Sequence, residues 1–279
     1  MFKLIVSDLD GTIFNDNHSI SQDNLEAINI LKENNIPFVV CTGKTYALSK
    51  DICKTLNANF GIFGNGNQII NLATGEELSK KTLNFENIKN CFSIINKYNL
   101  HVHIYTENSI ITTTPMYLDL RNSILFPDMI KLETVNSVFE YIEKEKPTIL
   151  KLVISSNSSL TSVKEMLEKY ADLSITHITK TGNNKDSIID KEYEYLDISP
   201  SNVTKGVALE ELKNYLSLQK EDILSIGDNV NDISMFKASG IGVAVNNAYE
   251  EVKQVANFTT SHSAENGGFA EAIYKFIEF

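Results

Sequence analysis

The stretch LIVSDLDGTIF, residues 4–14, ends an apolar, strand-like run in two aspartates, Asp8 and Asp10, followed at once by Gly11 and Thr12. Aspartate is a poor strand residue, and two carboxylates this close in sequence repel each other. If the strand continues through the pair, its period of two puts both carboxylates on the same side. The pair therefore predicts a site in which something compensates the two negative charges.

The flanking sequence predicts a parallel sheet. Strand-like runs at 2–7, 36–44 and 58–70, the last of which breaks at a Gly-Asn turn, alternate with helical patterns at 19–35 and 46–56. Ser21 is a plausible N-cap for the first helix. This βαβαβ order is typical of an α/β fold with helices on both faces of the sheet. The alternation returns near the C-terminus, with helical patterns at 205–216 and 233–239 and strand-like runs at 222–228 and 240–245.

The middle of the chain follows another pattern. Two helical patterns, 85–98 and 158–171, lie among strand-like runs that alternate polar and apolar residues, as antiparallel strands with one wet face do. We therefore predict a Rossmann-like α/β core formed by residues 1–83 and 198–279. An α+β domain of residues 84–197 would be inserted into it.

Composition and charge exclude several classes of protein. The 279 residues, 42% hydrophobic and 22% charged, suit a globular protein of about two domains. A net charge of −11 argues against a nucleic-acid or anionic-membrane partner, and no apolar run is long enough for a transmembrane helix. Three cysteines without metal-type spacing, Cys41, Cys53 and Cys91, favour a reducing cytoplasm. No obligate protein partner is predicted.

Polar residues follow three of the strand-like runs: Asp8, Thr42 with Gly43, and Asp228. Ligands of open parallel sheets bind outside the carboxyl ends of the strands, so these residues can converge. Lys205 stands at the start of a predicted helix, where backbone N–H groups favour an anion.

The predicted site carries up to four carboxylates, those of Asp8, Asp10, Asp228 and Asp232. Such repulsion calls for a hard divalent cation, and Mg²⁺ typically takes one or two carboxylates together with substrate phosphate. Thr42, Lys205 and the N–H groups around Gly11 would hold the remaining phosphate oxygens. One carboxylate of the pair would then attack and the other would handle protons.

Several motifs together resemble a haloacid dehalogenase-superfamily phosphatase of the Cof type, with a C2-type cap inserted late in the chain. The motifs are SDLDGTI (7–13), VVCTGK (39–44), FGNGNQI (63–69), DISPSNVTKGVALEEL (197–212), SIGDNVNDISMF (225–236) and GIGVAVNNAYEEVKQVANFTT (240–260). The resemblance covers essentially the whole chain.

The resemblance implies a role for each matching residue. Asp8 would be the nucleophile that forms an aspartyl-phosphate, and Asp10 the general acid and then the base. The substrate-binding residues implied are Gly11, Thr42, Gly43, Lys205 and Asn231. Mg²⁺ would bind the Asp8 carboxylate, the Asp10 main-chain carbonyl and Asp228, with support from Asn231 and Asp232.

Spacing favours the same branch of the superfamily. About 30 residues separate Thr12 from Thr42, enough for one helix and a strand. About 160 separate Thr42 from Lys205, of which the core needs about 40, so a cap of about a hundred residues fits only there. A cap would exclude water and read the leaving group.

Four features stay open at this level. Lys44 stands where the family more often has arginine, which leaves a substrate contact there in doubt. Asn65 could form a turn or contact substrate, and Arg121, the only arginine, could reach an anionic leaving group. Asp232 could cap the following helix, support the metal, or do both.

The activity predicted is Mg²⁺-dependent hydrolysis of a small phosphomonoester, such as a sugar phosphate or a nucleotide or cofactor phosphate, for example pyridoxal phosphate. Two alternatives remain. A phosphomutase would share the nucleophile, and a regulatory protein could bind a phosphorylated ligand without turning it over.

Overall fold

The computed structural model describes residues 2–15, 17–114, 131–180 and 193–278. The chain forms two compact units, of which the first joins both ends of the sequence, Met1–Lys80 and Val203–Phe279. The second unit, Lys81–Asn202, is inserted between them in sequence. Arg121 lies outside the described residues.

The first unit, called the core unit here, is built on an eight-stranded sheet with the order β14-β13-β12-β1-β2-β3-β4-β5. Neighbouring strands from β14 through to β3 run parallel, whereas β4 and β5 join antiparallel at one edge. Its strands are β1 (Leu4–Ser7), β2 (Phe38–Cys41), β3 (Phe60–Phe63), β4 (Gln68–Asn71), β5 (Glu76–Lys80), β12 (Ile223–Gly227), β13 (Ile241–Ala244) and β14 (Phe258–Thr259).

Strand β1 is central and buried along its whole length. It pairs with β2 on one side, where Ser7 lies opposite Val40, and with β12 on the other, where Ser7 lies opposite Ile226. Because β1, β2 and β12 all run parallel, their carboxyl ends lie at the same edge of the sheet. This edge carries the residues that follow each strand.

The α-helices described in the core unit are α1 (Gln22–Glu33), α2 (Tyr46–Thr55), α6 (Lys205–Tyr215), α7 (Ile233–Ala238), α8 (Glu250–Val255) and α9 (Gly268–Phe276). Ser21 caps α1 by accepting from the Asn24 N–H, as predicted. Cys41 is fully buried among the apolar side chains of β1, β3 and α6.

The inserted unit contains a six-stranded sheet with the order β10-β11-β9-β6-β7-β8. Its pairs are antiparallel except β7 with β8. Its described elements are α3 (Phe85–Tyr98), β6 (His101–Thr106), β7 (Ser109–Thr112), β8 (Lys131–Thr134), α4 (Val138–Glu145), β9 (Ile149–Ser156), α5 (Thr161–Leu167), β10 (Leu173–Lys180) and β11 (Tyr193–Pro200).

One face of this sheet packs against the three helices through aliphatic side chains such as Ile104, Leu152 and Leu196. The other face is polar, although much of it is buried. On it, the Nε2 atoms of His101 and His103 lie 3.0 Å apart. The mixed α/β architecture with an inserted α+β unit confirms the predicted fold class.

Two details differ from the sequence prediction. Strand β1 ends at Ser7, so the period-two alternation does not extend through Asp8 to Asp10. The run at 58–70 is a hairpin of β3 and β4, and it adds antiparallel strands to a sheet predicted as parallel. Among the described residues, no helix is both long enough and apolar enough to cross a membrane.

Candidate functional site

Asp8 and Lys205 form the centre of the site. The N–H of Asp8 still donates to the Ile226 carbonyl, so the residue stays attached to the sheet where β1 ends. Lys205 is the first residue of α6 and is completely buried, with Nζ 2.8 Å from Asp8 Oδ1 and 2.6 Å from Asp232 Oδ1. A buried ammonium is tolerated only when it is paired, and here two carboxylates pair with it.

Close packing of two helices places Lys205. Thr204 caps α6 by accepting from the Val207 N–H, and the Gly206 N–H donates to Ser234 Oγ in α7. A Cβ on Gly206 would lie 2.3 Å from the Ser234 carbonyl oxygen, so only glycine allows this approach. The cap at Thr204 and the contact between Gly206 and α7 therefore fix the backbone on both sides of Lys205.

Asp232 organises the loop that follows β12. Its Oδ1 accepts from Lys205, and its Oδ2 accepts from the N–H groups of Asp228 and Asn229 at 3.0 and 2.9 Å. These bonds cap the short turn at 230–232, whereas the side chain makes no capping bond to α7. The alternative in which the Asp232 side chain caps the helix at 233–239 is therefore wrong, because this side chain caps the turn before that helix.

Asp228 lies against Gly11 and Thr12, in the loop that follows β1. Thr12 Oγ1 donates to Asp228 Oδ1 at 2.8 Å. Gly11 has a φ of +77°, and a Cβ there would lie 2.4 Å from Asp228 Oδ2. The Gly11 carbonyl in turn accepts from Asn247 Nδ2 at 2.7 Å.

The N–H groups around Gly11 are used within the loop. The Gly11 N–H donates to the Phe14 carbonyl, and those of Thr12 and Ile13 donate to the Leu9 carbonyl. These three N–H groups close the turn, so the prediction that N–H groups around Gly11 hold phosphate oxygens does not extend to them. Gly11 acts here by letting Asp228 approach.

Three buried carboxylates form a cluster that suits a cation. Oxygens of Asp8, Asp228 and Asp232 lie within 4.8 Å of one another. Burial, together with the charges of Asp232 and Asp10, raises the pKa of Asp8 to about 7 against the opposing charge of Lys205. Burial, followed by the charges of Asp8 and Asp232, also raises the pKa of Asp228.

The raised pKa values of Asp8 and Asp228 indicate that three ionised carboxylates would carry more negative charge than Lys205 alone can balance. Hard oxygen ligands in such a cluster are what Mg²⁺ prefers, so the residues fit a divalent cation. Asp8 and Asp228 are the better candidates for direct contact, because both oxygens of Asp232 already accept hydrogen bonds.

Asp10 lies apart from this cluster and faces another cation. Its Oδ2 pairs with Lys44 Nζ, and its Oδ1 lies 3.5 Å from His18 Nδ1. Burial raises the pKa of Asp10, but the charge of Lys44 and the polar contacts with His18 and Lys44 outweigh it and hold the pKa well below its usual range. The Asp10 side chain does not join the group of potential metal ligands, so its predicted metal contact rests on the main-chain carbonyl alone.

Thr42 and Gly43 directly follow β2 at the same edge of the sheet. The Thr42 N–H donates to the Ile62 carbonyl, and Thr42 Oγ1 accepts from the Lys44 N–H at 3.2 Å. Asn65 lies over Gly43, where a Cβ would be 3.1 Å from Asn65 Oδ1. That same oxygen accepts from Asn231 Nδ2 at 2.9 Å, which links the loops after β2, β3 and β12.

The structure adds residues that the sequence prediction missed. Thr12 and Asn247 hold the acidic loops, and His18 lies beside Asp10. Thr12 and Asn247 belong to the motifs quoted above, so the motifs contained a signal for them. No periodicity or spacing marked His18, because only the folded loop returns it to Asp10.

Comparison with known proteins identifies the class. A model of the haloacid dehalogenase-like hydrolase family matches residues 5–273. The chain therefore belongs to this family, and the prediction of a Cof-type phosphatase is confirmed.

Individual relatives agree with this class. The chain is 27% identical to a putative phosphatase, YxeH, of Bacillus subtilis, with 99% of each protein covered. It is also 27% identical to the 5-amino-6-(5-phospho-D-ribitylamino)uracil phosphatase YcsE of the same organism, with 99% of this chain and 96% of the relative covered. A haloacid dehalogenase-like hydrolase structure from Bacteroides thetaiotaomicron superposes with a TM-score of 0.82 at 25% identity, covering 99% of this chain and 100% of that one.

Proposed function

We propose that this protein is a Mg²⁺-dependent phosphatase that hydrolyses small phosphomonoesters through an aspartyl-phosphate on Asp8. The observation that carries the proposal is the position of Lys205, a buried ammonium in contact with Asp8 and Asp232 beside a third carboxylate. Burying these charges together is costly for stability alone, because each charge taken out of water carries a desolvation penalty. A phosphoryl group and a divalent cation would balance these charges.

In the first step, a carboxylate oxygen of Asp8 attacks phosphorus and the bond from phosphorus to the leaving oxygen breaks. Asp10 must carry a proton for this step, against the low pKa that Lys44 imposes on it, and it donates that proton to the leaving oxygen, so the alcohol leaves neutral. In the second step, Asp10 takes a proton from water, whose oxygen attacks the phosphorus. Inorganic phosphate leaves and the Asp8 carboxylate is restored.

The remaining residues of the site would bind the phosphoryl group and the cation and orient them. Lys205 and Thr42 would hold phosphoryl oxygens, and Gly43 and Asn231 would shape the loops around them. Asp8, the Asp10 carbonyl and Asp228 would hold Mg²⁺, with Asp232 fixing Lys205 and the Asp228 loop behind them. When bound, Mg²⁺ supplies positive charge that lets an anionic substrate approach an anionic nucleophile.

The substrate is proposed at the level of a class. The relative YcsE is named for a sugar-alcohol phosphate attached to a uracil, which makes sugar phosphates and nucleotide-like or cofactor phosphates, pyridoxal phosphate among them, the first compounds to test. The inserted unit is proposed to be the cap that reads the leaving group. Cytoplasmic location and the absence of an obligate protein partner remain predictions.

The test is phosphate release from a panel of such monophosphates, with Mg²⁺ and with chelator. Wild type should release phosphate only with Mg²⁺, and Asp8→Asn should lose at least about 1000-fold in kcat, since the nucleophile is gone. Asp51→Asn, an exposed aspartate in α2, is the matched control and should behave as wild type. Peptide mass analysis after acid quench should find phosphate on the peptide containing Asp8.

Two results would contradict the proposal. Isomerised product with little free phosphate, dependent on a bisphosphate activator, would identify a phosphomutase. Tight binding of a phosphorylated ligand with no turnover dependent on Asp8 would identify a binding protein.

A further inference from the structure

Lys44 contacts the proposed acid–base residue. Its ammonium pairs with Oδ2 of Asp10, and its side chain is largely buried. The backbone of Lys44 is fixed on both sides, because its N–H donates to Thr42 Oγ1 and its carbonyl accepts from the Gly64 N–H at 2.8 Å. The ammonium therefore reaches Asp10 from a loop with little freedom to move away.

His18 approaches the same carboxylate from the other side. Its Nδ1 lies 3.5 Å from Asp10 Oδ1, at the outer limit of a hydrogen bond. Its Nε2 is buried, and no hydrogen-bond partner for it exists among the residues that the structure describes. A buried ring nitrogen without a partner is unfavourable, so something other than local stability keeps this imidazole in place.

A tight loop returns His18 to Asp10. The His18 N–H donates to the Asn15 carbonyl at 2.9 Å, and Asn15 Oδ1 accepts from the N–H groups of Asn17 and Ser19, each at 3.0 Å. His18 itself has a φ of +55°, a conformation that few side chains other than those of Asn, Asp and His adopt readily. This strained backbone conformation places the His18 imidazole beside the Asp10 carboxylate.

The two contacts leave the oxygens of Asp10 unequal. Oδ2 is held by the Lys44 ammonium, whereas Oδ1 is buried and has no hydrogen-bond partner in the described part of the chain. A proton on Oδ1 would leave the contact between Oδ2 and Lys44 intact. A single ammonium suits this arrangement, because an arginine fork tends to engage both oxygens of a carboxylate.

We propose that Lys44 and His18 are positioning residues that hold the Asp10 carboxylate so that Oδ1 is the oxygen that transfers the proton. This inference rests on the proposed function, because it assigns roles around the acid of that reaction.

Substrates with different leaving groups distinguish the proposed positioning role from a merely structural one. An alkoxide needs a proton to leave, whereas p-nitrophenolate leaves without one. Disturbing Asp10 should therefore slow hydrolysis of an alkyl phosphate much more than hydrolysis of p-nitrophenyl phosphate. A general loss of structure would slow both substrates equally.

The experiment compares kcat on p-nitrophenyl phosphate with kcat on the best alkyl phosphate of the panel, with Mg²⁺. We expect Lys44→Met and His18→Asn each to lower kcat on the alkyl phosphate by about 10- to 100-fold, and kcat on p-nitrophenyl phosphate by less than about threefold. Asparagine is chosen at position 18 because it tolerates the positive φ. Lys50→Met, an exposed lysine in α2, is the matched control and should change neither.

Lys44→Arg keeps the charge and covers the case in which Lys44→Met does not fold. It should retain more alkyl phosphatase activity than Lys44→Met but less than wild type. Equal losses on both substrates, or no loss on either, would overturn the inference while leaving the proposed function intact. Wild type that hydrolyses neither substrate would overturn both.

Discussion

Lys205 Nζ lies 2.8 Å from Oδ1 of Asp8, and this fully buried contact joins the residue after the first strand to the first residue of a helix from the other end of the chain. Oδ1 of Asp232 lies 2.6 Å from the same Nζ atom. The three charges are therefore one unit, and removing Lys205 leaves two buried carboxylates without their cation.

Lys205→Met should lower the free energy of unfolding by about 3–5 kcal/mol, because it leaves Asp8 and Asp232 buried without their cation. Urea denaturation of the metal-free protein measures the change. Lys253→Met is the control, since its partner Glu250 is mostly exposed and such pairs contribute about 0–1 kcal/mol. Equal losses in the two variants would contradict the proposed importance of the buried pair.

Divalent cation should stabilise the folded protein. Magnesium at about 100 times its dissociation constant should add about 2.7 kcal/mol to the free energy of unfolding, because only the folded state gathers the carboxylates. Asp228→Asn should abolish this gain while making the protein at least as stable as wild type in chelator, since it removes a charge that the neighbouring carboxylates disfavour. Thermal unfolding with and without Mg²⁺ provides the measurement.

An unchanged magnesium response in Asp228→Asn would exclude Asp228 as a ligand. Asp51→Asn again serves as the control and should respond to Mg²⁺ as wild type does.

The stability of the metal-free protein should depend on the pH through Asp8. Its pKa is raised from 3.8 to about 7 on folding, so the folded state holds this proton more tightly than the unfolded chain. The stabilisation is complete below about pH 4 and is lost as the pH rises through about 7. In chelator, Asp8→Asn should therefore gain stability relative to wild type by about 1–4 kcal/mol on going from pH 4 to pH 8.

The control for this pH dependence is the same comparison with saturating Mg²⁺. Bound cation favours the charged carboxylate, so the difference between Asp8→Asn and wild type should no longer grow in favour of the variant as the pH rises. A difference that is independent of pH in chelator would show that the Asp8 pKa is not raised.

Glu194 should give the opposite pH dependence in the inserted unit. Its Oε2 accepts from the Leu160 N–H at 2.7 Å and lies 2.7 Å from His177 Nε2. The Leu160 N–H, more than the His177 contact, lowers the pKa of Glu194 against a smaller opposing effect of burial. The resulting stabilisation is present above the ordinary glutamate pKa and is lost as the pH falls through the lowered value.

Glu194→Gln should therefore cost about 1–2 kcal/mol in the free energy of unfolding at pH 7 and less at pH 3. Urea denaturation at the two pH values measures this. Glu168→Gln removes a half-exposed partner of Lys164 and should change stability by less than about 0.5 kcal/mol. A loss that is as large at pH 3 as at pH 7 would contradict the assigned role of the charge.

Local sequence patterns predicted much of the fold. The apolar run before Asp8 and the helical spacing after Ser21 each specify an element through contacts between near neighbours, so both are readable without a structure. The Gly-Asn turn that breaks the run at 58–70 is readable from the sequence, whereas the antiparallel direction of β4 is not, because apolar content alone does not specify strand direction.

The residue types of the site and the order of the elements that carry them are readable from motifs and spacing, since these are local properties of the chain. Which charges meet is not readable in this way, because it depends on how the chain folds. Asp10 is separated from the other carboxylates and joined to Lys44 and His18, whereas Lys205 is joined to Asp8 and Asp232. The physical reason is that these pairings depend on the parallel sheet and on loop closure, which bring together residues distant in sequence.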